Sequence, residues 1–209
     1  QPIEGPASYN QAVQNLLFGA DSALLKDGRV VTVEALGGTG ALKVGADYLR
    51  RLLPEAAVYI SDPSWENHRA LFESAGFRVE NYPYYDAATR GVAFDGMKAC
   101  LTGLPAGSIV VLHACCHNPT GADLSDAQWK EVVGIVRARG LVAFIDMAYQ
   151  GFADGIEPDA LALRLFAASG LQFFVSSSFS KSFSLYGERV GALSIVTASK
   201  DESARVMSQ

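Results

Sequence analysis

The sequence predicts an α/β fold in which helices cover both faces of a mostly parallel sheet, giving three layers, α/β/α. Two observations favour this class. Short continuous apolar runs, typical of strands buried on both faces, recur along the chain. Segments with helical periodicity separate these runs, and such alternation is typical of βαβ units.

The apolar runs and the segments between them predict the elements in order. Strands are expected at 30–36, 57–60, 77–79, 108–113, 141–146, 171–176 and 191–196. Helices are expected near 9–18 and at 41–53, 65–75, 94–101, 126–138 and 159–168. Local signals agree, since Ser125 stands at the N-cap of one predicted helix and Gly140 at its C-terminal end.

Composition limits the class of protein further. The 209 residues are 49% hydrophobic and 19% charged, which favours one domain with a substantial core. A net charge of −5 argues against nucleic acid or an anionic membrane surface as a partner. No apolar run of about 18 residues predicts a transmembrane helix. Three cysteines, two of them adjacent, make no disulfide framework, so a cytoplasmic protein is expected.

Ligands of parallel α/β sheets bind at the carboxyl ends of strands, so residues that follow the apolar runs are candidates for a site. Gly37-Gly38-Thr39-Gly40 follows the first run and opens a helix, which predicts an anion site. Ala41 excludes a P-loop, and Lys43 stands where a dinucleotide fingerprint needs glycine. Taken alone, the segment also fits a tight strand-to-helix turn.

The sequence HACCHNPTG at 113–121 contains two histidines and two cysteines at a strand end. Its spacing does not suit zinc, because adjacent cysteines point in opposite directions on an extended chain and no second pair exists. No metal is therefore expected. Two interpretations stay open, buried thiols in a turn or Asn118 as a polar group directed into the crevice.

Two further strand ends carry charged side chains. Asp146 ends an apolar strand, either as a loop carboxylate or as the partner of a cationic ligand atom, with Tyr149 beside it. Lys181 follows a serine run after another strand and is a candidate Schiff-base nucleophile. Arg189, eight residues later, could bind a phosphate through two hydrogen bonds. By itself, such a lysine is more often a solvated surface group.

Together these motifs resemble the pyridoxal phosphate-dependent aminotransferases of fold type I. The resemblance is closest to the bacterial aspartate and aromatic (tyrosine) aminotransferases and covers essentially the whole chain. It is carried by SDPSWENH at 61–68, HACCHNPTG at 113–121, AYQGF at 148–152 and FSLYGERVG at 183–191.

The resemblance implies roles for the residues nearest the chemistry. Lys181 would form the Schiff base with the cofactor aldehyde. Asp146 would pair with the protonated pyridine nitrogen, with His68 behind it. Tyr149 and Asn118 would donate hydrogen bonds to the ring oxygen of the cofactor.

The remaining cofactor contacts also follow from the resemblance. Trp65 would stack on the cofactor ring, and His113 would lie beneath it. Four residues would hold the phosphate: Gly38, Thr39, Ser178 and Arg189.

The resemblance implies transamination between an aromatic or dicarboxylic L-amino acid (tyrosine, phenylalanine or aspartate) and 2-oxoglutarate, by a full-length homodimer. Residues 1–209 would be a single cofactor-binding large domain without the N-terminal arm and small domain, with weak or no activity alone. Neither nucleic acid nor a membrane is an expected partner. Two alternatives stay open, namely another reaction of the same cofactor (β-elimination, decarboxylation or racemisation) and a non-catalytic truncated domain.

Overall fold

The computed structural model describes residues 2–209 and has the α/β architecture that the sequence predicts. The strands are β1 (Val30–Leu36), β2 (Ala57–Asp62), β3 (Arg78–Pro83), β4 (Tyr85–Asp86), β5 (Gly91–Val92), β6 (Ile109–His113), β7 (Val142–Met147), β8 (Phe173–Ser178) and β9 (Val190–Val196). The helices are α1 (Ala7–Phe18), α2 (Ala23–Lys26), α3 (Gly37–Leu52), α4 (Glu66–Ser74), α5 (Phe94–Gly103), α6 (Asp126–Arg139), α7 (Leu161–Ala168) and α8 (Lys200–Met207).

Seven strands form one sheet in the order β1-β9-β8-β7-β6-β2-β3. The pairs from β8 to β3 are parallel, whereas β9 runs antiparallel to both β1 and β8. The strands β1, β2, β3, β6, β7 and β8 therefore share one direction. A mostly parallel sheet is confirmed, with one reversed strand that the sequence did not predict.

Helices cover both faces of this sheet because alternate strand residues point to opposite sides. Val110 and Leu112 of β6 belong to a core built with α1, α5, α6 and α7. Ile109 and Val111 of the same strand belong to a second core, built with α3 and α4. The two cores confirm the three-layer arrangement. Among residues 2–209, no helix combines the length and apolar character needed to cross a membrane.

The predicted boundaries need several corrections, among them the end of β3, which lies at Pro83 instead of residue 79. The helix α3 begins at Gly37, so the glycine run forms its first turn instead of a loop before it. The strand β8 lies two residues later than expected, because the serines at its end are buried and continue the ladder. The short helix α2, the polar helix α8 and the β4–β5 hairpin were not predicted.

One edge of the sheet collects the predicted site residues. The strands β1, β6, β7 and β8 all end there, and the reversed strand β9 begins there. The register pairs Leu36 with Val190 and Ser178 with Gly191. Arg189, which directly precedes β9, is therefore brought beside the end of β8 and the start of α3.

Candidate active site

A cleft of about 250 Å³ opens at this edge of the sheet. Ten of the predicted site residues line it: Gly38, Thr39, Trp65, His113, Asn118, Asp146, Tyr149, Ser178, Lys181 and Arg189. His68 does not line the cleft and lies directly behind Asp146. Residues that are far apart in the sequence thus converge on one site.

The buried carboxylate of Asp146 forms the base of the cleft. Its Oδ2 lies 2.8 Å from Nε2 of His68, and its Oδ1 accepts a 2.7 Å hydrogen bond from Oγ of Ser176. Nδ1 of His68 lies 2.9 Å from Oγ of Ser64. Burial acts to raise the pKa of Asp146, but the bonds and charge of His68 outweigh it, so this pKa lies below its ordinary value. Asp146 is therefore a carboxylate at neutral pH.

The imidazole of His113 lies between two others. Its ring centroid is 4.8 Å from that of His68 and 4.2 Å from that of His117. Neither ring nitrogen of His113 has a hydrogen-bond partner among residues 2–209, although both are buried. Burial, followed by the neighbouring His68, holds the pKa of His113 well below its ordinary value. His113 thus presents a neutral imidazole to the cleft.

Cys115 and His117 of the 113–121 segment contact different partners and do not converge on one point. The Cys115 thiol lies 3.8 Å from Sδ of Met147, and both ring nitrogens of His117 meet hydroxyl groups. A different set, His68, His113 and Asp146, has ligand-type atoms within 4.8 Å of one another. A metal ion in that set would have to break the bond between His68 and Asp146, so we assign no metal to it.

Lys181 lies across the cleft on the turn that follows β8. Its Nζ is 4.6 Å from the centroid of the Tyr149 ring. Burial, and then the charge of Asp146, raise the pKa of Tyr149, so the phenol keeps its proton at neutral pH and can donate a hydrogen bond. An amine and a phenol donor therefore face the cleft together.

The far end of the cleft is shaped for an anion. The N-terminus of α3, with Gly38 and Thr39, faces the Arg189 guanidinium and Ser178. A Cβ atom at Gly37 would come within 2.6 Å of Nη2 of Arg189, and one at Gly38 within 3.0 Å of Cβ of Ser178. The glycines leave the space in which backbone N–H groups, a guanidinium and a hydroxyl can meet one anionic group.

Sequence reasoning missed several contributors. Leu42, Ala148, Ser180 and Tyr186 also line the cleft, and Ser176 binds Asp146 from the neighbouring strand. Leu42 and Ala148 carry no polar group that could have marked them. Ser176 and Ser180 belong to the same serine run as the predicted Ser178, and Tyr186 lies in the resembling 183–191 segment.

The fold and this set of side chains define a class, the α/β proteins with a polar cleft at the carboxyl ends of parallel strands. Comparison with known proteins identifies the family. Residues 1–209 match the aminotransferase class I and II family. An aspartate aminotransferase of Pseudomonas aeruginosa is 71% identical over 208 residues, which are 100% of this chain and 52% of the relative. An aromatic-amino-acid aminotransferase of Escherichia coli is 56% identical with the same coverage.

A solved structure agrees with these sequence relatives. The aromatic-amino-acid aminotransferase of Burkholderia pseudomallei, covalently bound to pyridoxal phosphate, superposes with a TM-score of 0.98 at 70% identity. The superposition covers 99% of this chain and 52% of that one. The chain belongs to the aminotransferase class I and II family, and it spans about half the length of the relatives it matches.

Proposed function

We propose that residues 1–209 form the pyridoxal 5′-phosphate-binding large domain of an aminotransferase. The observation that carries this proposal is the position of Asp146. This ionised carboxylate is hydrogen-bonded to His68 and lies at the base of the cleft. Lys181 and Arg189 line the same cleft. A carboxylate, an amine and an anion site in one cleft match the pyridine nitrogen, aldehyde and phosphate of this cofactor.

Three features of the cleft support the fit of this group. The absence of a side chain at Gly38 leaves space for the phosphate beside Ser178. The buried His113 nitrogens have no partner within the described chain and face the same cleft. Trp65 offers an aromatic surface for a planar ring.

When bound, the cofactor supplies an electron-accepting ring that stabilises negative charge at Cα of an amino acid. Asp146 holds a proton at the ring nitrogen, an attraction of about 4 kcal/mol at about 4 Å and an effective dielectric near 20. Lys181 would hold the cofactor through its Nζ, and its free amine would serve as the general base and acid at Cα, a kind of help typically worth about 10²–10⁴ in rate. Tyr149 and Asn118 donate hydrogen bonds to the ring oxygen. Arg189 and the N-terminus of α3 fix the phosphate.

We propose transamination of an aromatic or dicarboxylic L-amino acid, with 2-oxoglutarate as the acceptor, by the full-length protein. The names of the relatives, aspartate and aromatic-amino-acid aminotransferases, support this substrate class. A homodimer is proposed on the family resemblance, and a cytoplasmic location on the cysteines, which make no disulfide framework. Other reactions of the cofactor and a non-catalytic domain are the competing functions.

Covalent labelling tests cofactor binding. The 209-residue chain is mixed with pyridoxal 5′-phosphate, reduced with borohydride, digested and analysed by mass spectrometry. We expect one labelled peptide, modified at Lys181, and no specific label in Lys181→Ala. The control is Lys130→Ala, which removes an exposed lysine of α6 and should label like the parent chain. Label spread evenly over surface lysines would contradict the proposal.

Product analysis tests the reaction. The chain and the full-length protein are compared with aspartate, tyrosine and phenylalanine in the presence of 2-oxoglutarate. We expect glutamate and the matching 2-oxo acid from the full-length protein, and little or none from the chain. Equal rates would contradict the proposed weakness of the chain, and ammonia or an amine as the product would favour another reaction.

A further inference from the structure

We propose that His117 is a positioning residue that fixes the Asn118 turn to the end of β2 through a one-way chain of hydrogen bonds. The role of His117 in the reaction rests on the proposed function, in which Asn118 donates a hydrogen bond to the cofactor. The hydrogen-bond chain itself belongs to the protein without cofactor. His117 itself does not line the cleft.

His117 is almost completely buried, with 2% of its surface exposed, and both ring nitrogens have partners. Nε2 lies 2.9 Å from Oγ of Ser61, the penultimate residue of β2. Nδ1 lies 2.8 Å from Oγ1 of Thr120. The ring stacks on Tyr84 with centroids 3.9 Å apart and planes 17° apart. The imidazole is thus fixed in both position and rotation.

The neighbouring groups determine which nitrogen carries the proton. Oγ1 of Thr120 already accepts a hydrogen bond from the backbone N–H of Ala122, at 3.1 Å, so its own proton is available for Nδ1 of His117. Burial, followed by the charge of His68, lowers the pKa of His117 to about 4, so the ring is neutral near pH 7. The single ring proton therefore lies on Nε2 and is donated to Ser61.

The chain continues beyond Ser61 to the backbone of the sheet. Ser61 interacts with the buried Tyr82 phenol, which donates a 2.8 Å hydrogen bond to the carbonyl of Val111. In this direction the Thr120 and Tyr82 protons have acceptors, and the Ser61 proton is left for the neighbouring Tyr82 oxygen. In the opposite direction Oγ1 of Thr120 would accept from both Ala122 and His117, and its own proton would be left without an acceptor. The first arrangement pairs the Thr120 proton within the protein, and we take it as the direction of the chain.

The backbone around Asn118 is held by the same cluster. The carboxylate of Asp123 accepts hydrogen bonds from the N–H groups of Cys116 and His117, at 2.6 and 2.8 Å. The N–H of Gly121 donates to the carbonyl of His117 at 2.7 Å. These bonds fix the chain on both sides of Asn118, while the His117 ring ties it to Ser61 and the segment that leads to Trp65. The ring therefore links two walls of the cleft.

Nuclear magnetic resonance of the cofactor-free chain tests the hydrogen-bond chain directly. We expect the ¹⁵N shifts of His117 near pH 7 to show a protonated Nε2 and an unprotonated Nδ1. The groups that face this ring are His68, His113, Asp123 and Tyr84, and the assignment is made with their single variants. A proton on Nδ1 would overturn the proposal, whatever the outcome with the cofactor.

Thr120→Val tests the positioning role, because it keeps the side-chain shape and removes the hydroxyl. The readout is the pKa of the covalent link between Lys181 and the cofactor, followed by visible absorption. We expect Thr120→Val to raise this pKa by about 0.5–1 unit, since a displaced Asn118 donates less well to the ring oxygen. Thr120→Ser should restore the parent value, and Thr102→Val, on the exposed face of α5, should not change it.

The same measurement in an Asn118→Ala background separates positioning from general packing. We expect the effect of Thr120→Val to disappear there, because the group through which it acts is gone. An unchanged shift in that background would overturn the positioning role. If the parent chain forms no link at Lys181, the proposed function fails instead, and the resonance experiment still decides the arrangement of His117.

Discussion

Two regions of the cleft are built in different ways. The floor consists of Asp146 and His113 together with His68, His117 and Ser176 directly behind them. All of these except the half-buried His113 are buried and hydrogen-bonded to one another or to neighbouring hydroxyls. The rim, residues 179–189, contains Lys181, Tyr186 and Arg189 and consists of turns. Phe183 and Tyr186 are 63% and 60% exposed. The floor is therefore fixed by the protein itself, whereas the rim has few interactions of its own.

Under the proposed function, this difference has a physical basis in what each region would bind. A carboxylate that holds a proton on the ring nitrogen of the cofactor stabilises it most when no free energy is spent on orienting the carboxylate during binding. The floor is therefore organised before the cofactor binds. The rim has to admit the ligand before it holds it. Within residues 2–209, the Arg189 guanidinium donates to two groups of the rim itself, the Tyr186 carbonyl at 3.1 Å and Oγ of Ser180 at 3.4 Å. We expect a bound anion to supply further hydrogen-bond partners for Arg189.

Asp146→Ala should break the floor and have the largest effect. The variant loses the charge opposite the ring nitrogen and leaves Nε2 of His68 and Oγ of Ser176 without their partner. We expect affinity for pyridoxal 5′-phosphate to fall by about 10²–10³, in line with an attraction of a few kcal/mol. Unfolding free energy should fall by about 1–3 kcal/mol. Fluorescence titration and urea unfolding provide the two measurements.

Asp146→Asn serves as the matched control for that experiment, since it keeps the size of the side chain and removes the charge. It should lose most of the affinity and less of the stability. Parent-like affinity in both variants would show that the floor charge is not what the ligand meets.

The contrast between floor and rim also explains how far the sequence could be interpreted. Apolar runs located the strands of the large sheet to within about two residues, except at the end of the edge strand β3, because burial on both faces leaves a plain signal. Periodicity carries no information on direction, so the reversal of β9 stayed hidden. The contact between His68 and Asp146 spans 78 positions and came only from the resemblance. The helix α8 was missed because its sequence is mostly polar.

Arg189→Lys should weaken the rim while its charge is retained. Lysine cannot offer the planar pair of donors that suits a phosphate, so affinity for pyridoxal 5′-phosphate should fall by about tenfold. Arg205→Lys, on the exposed surface of α8, is the matched control and should bind like the parent chain. Equal affinities for the two variants would remove Arg189 from the anion site.

Gly38→Ala should narrow the space for the phosphate between floor and rim and have a smaller effect. The new Cβ atom would lie 3.0 Å from Cβ of Ser178, so one of the two elements must shift by a few tenths of an ångström. We expect affinity for pyridoxal 5′-phosphate to fall about threefold, an effect below 1 kcal/mol. Gly134→Ala on α6 has open space and should change only stability, upward by up to about 1 kcal/mol. A parent-like affinity of Gly38→Ala would show that this space has spare room.

The dependence of stability on pH should report the floor and have the smallest effect. All three histidines of the sequence lie there, and the folded protein holds the pKa values of His113 and His117 below the ordinary value of about 6.5. Between about pH 6.5 and pH 4 the unfolded chain binds more protons than the folded one, so the unfolding free energy falls as pH falls. Asp146, whose pKa is also lowered, contributes its own loss only below about pH 4.

Urea unfolding of the cofactor-free chain near pH 7 and near pH 5 measures this dependence. The urea midpoint should be lower near pH 5, and His117→Gln should reduce the difference because one of the two neutral imidazoles is gone. A midpoint that rises toward pH 5 would mean that the imidazoles are charged in the folded state. His113 and His117 would then be held by ion pairs with Asp146 and Asp123 instead of by hydrogen bonds of neutral rings. The floor would then differ from the rim in its charge and not in being organised before the cofactor binds.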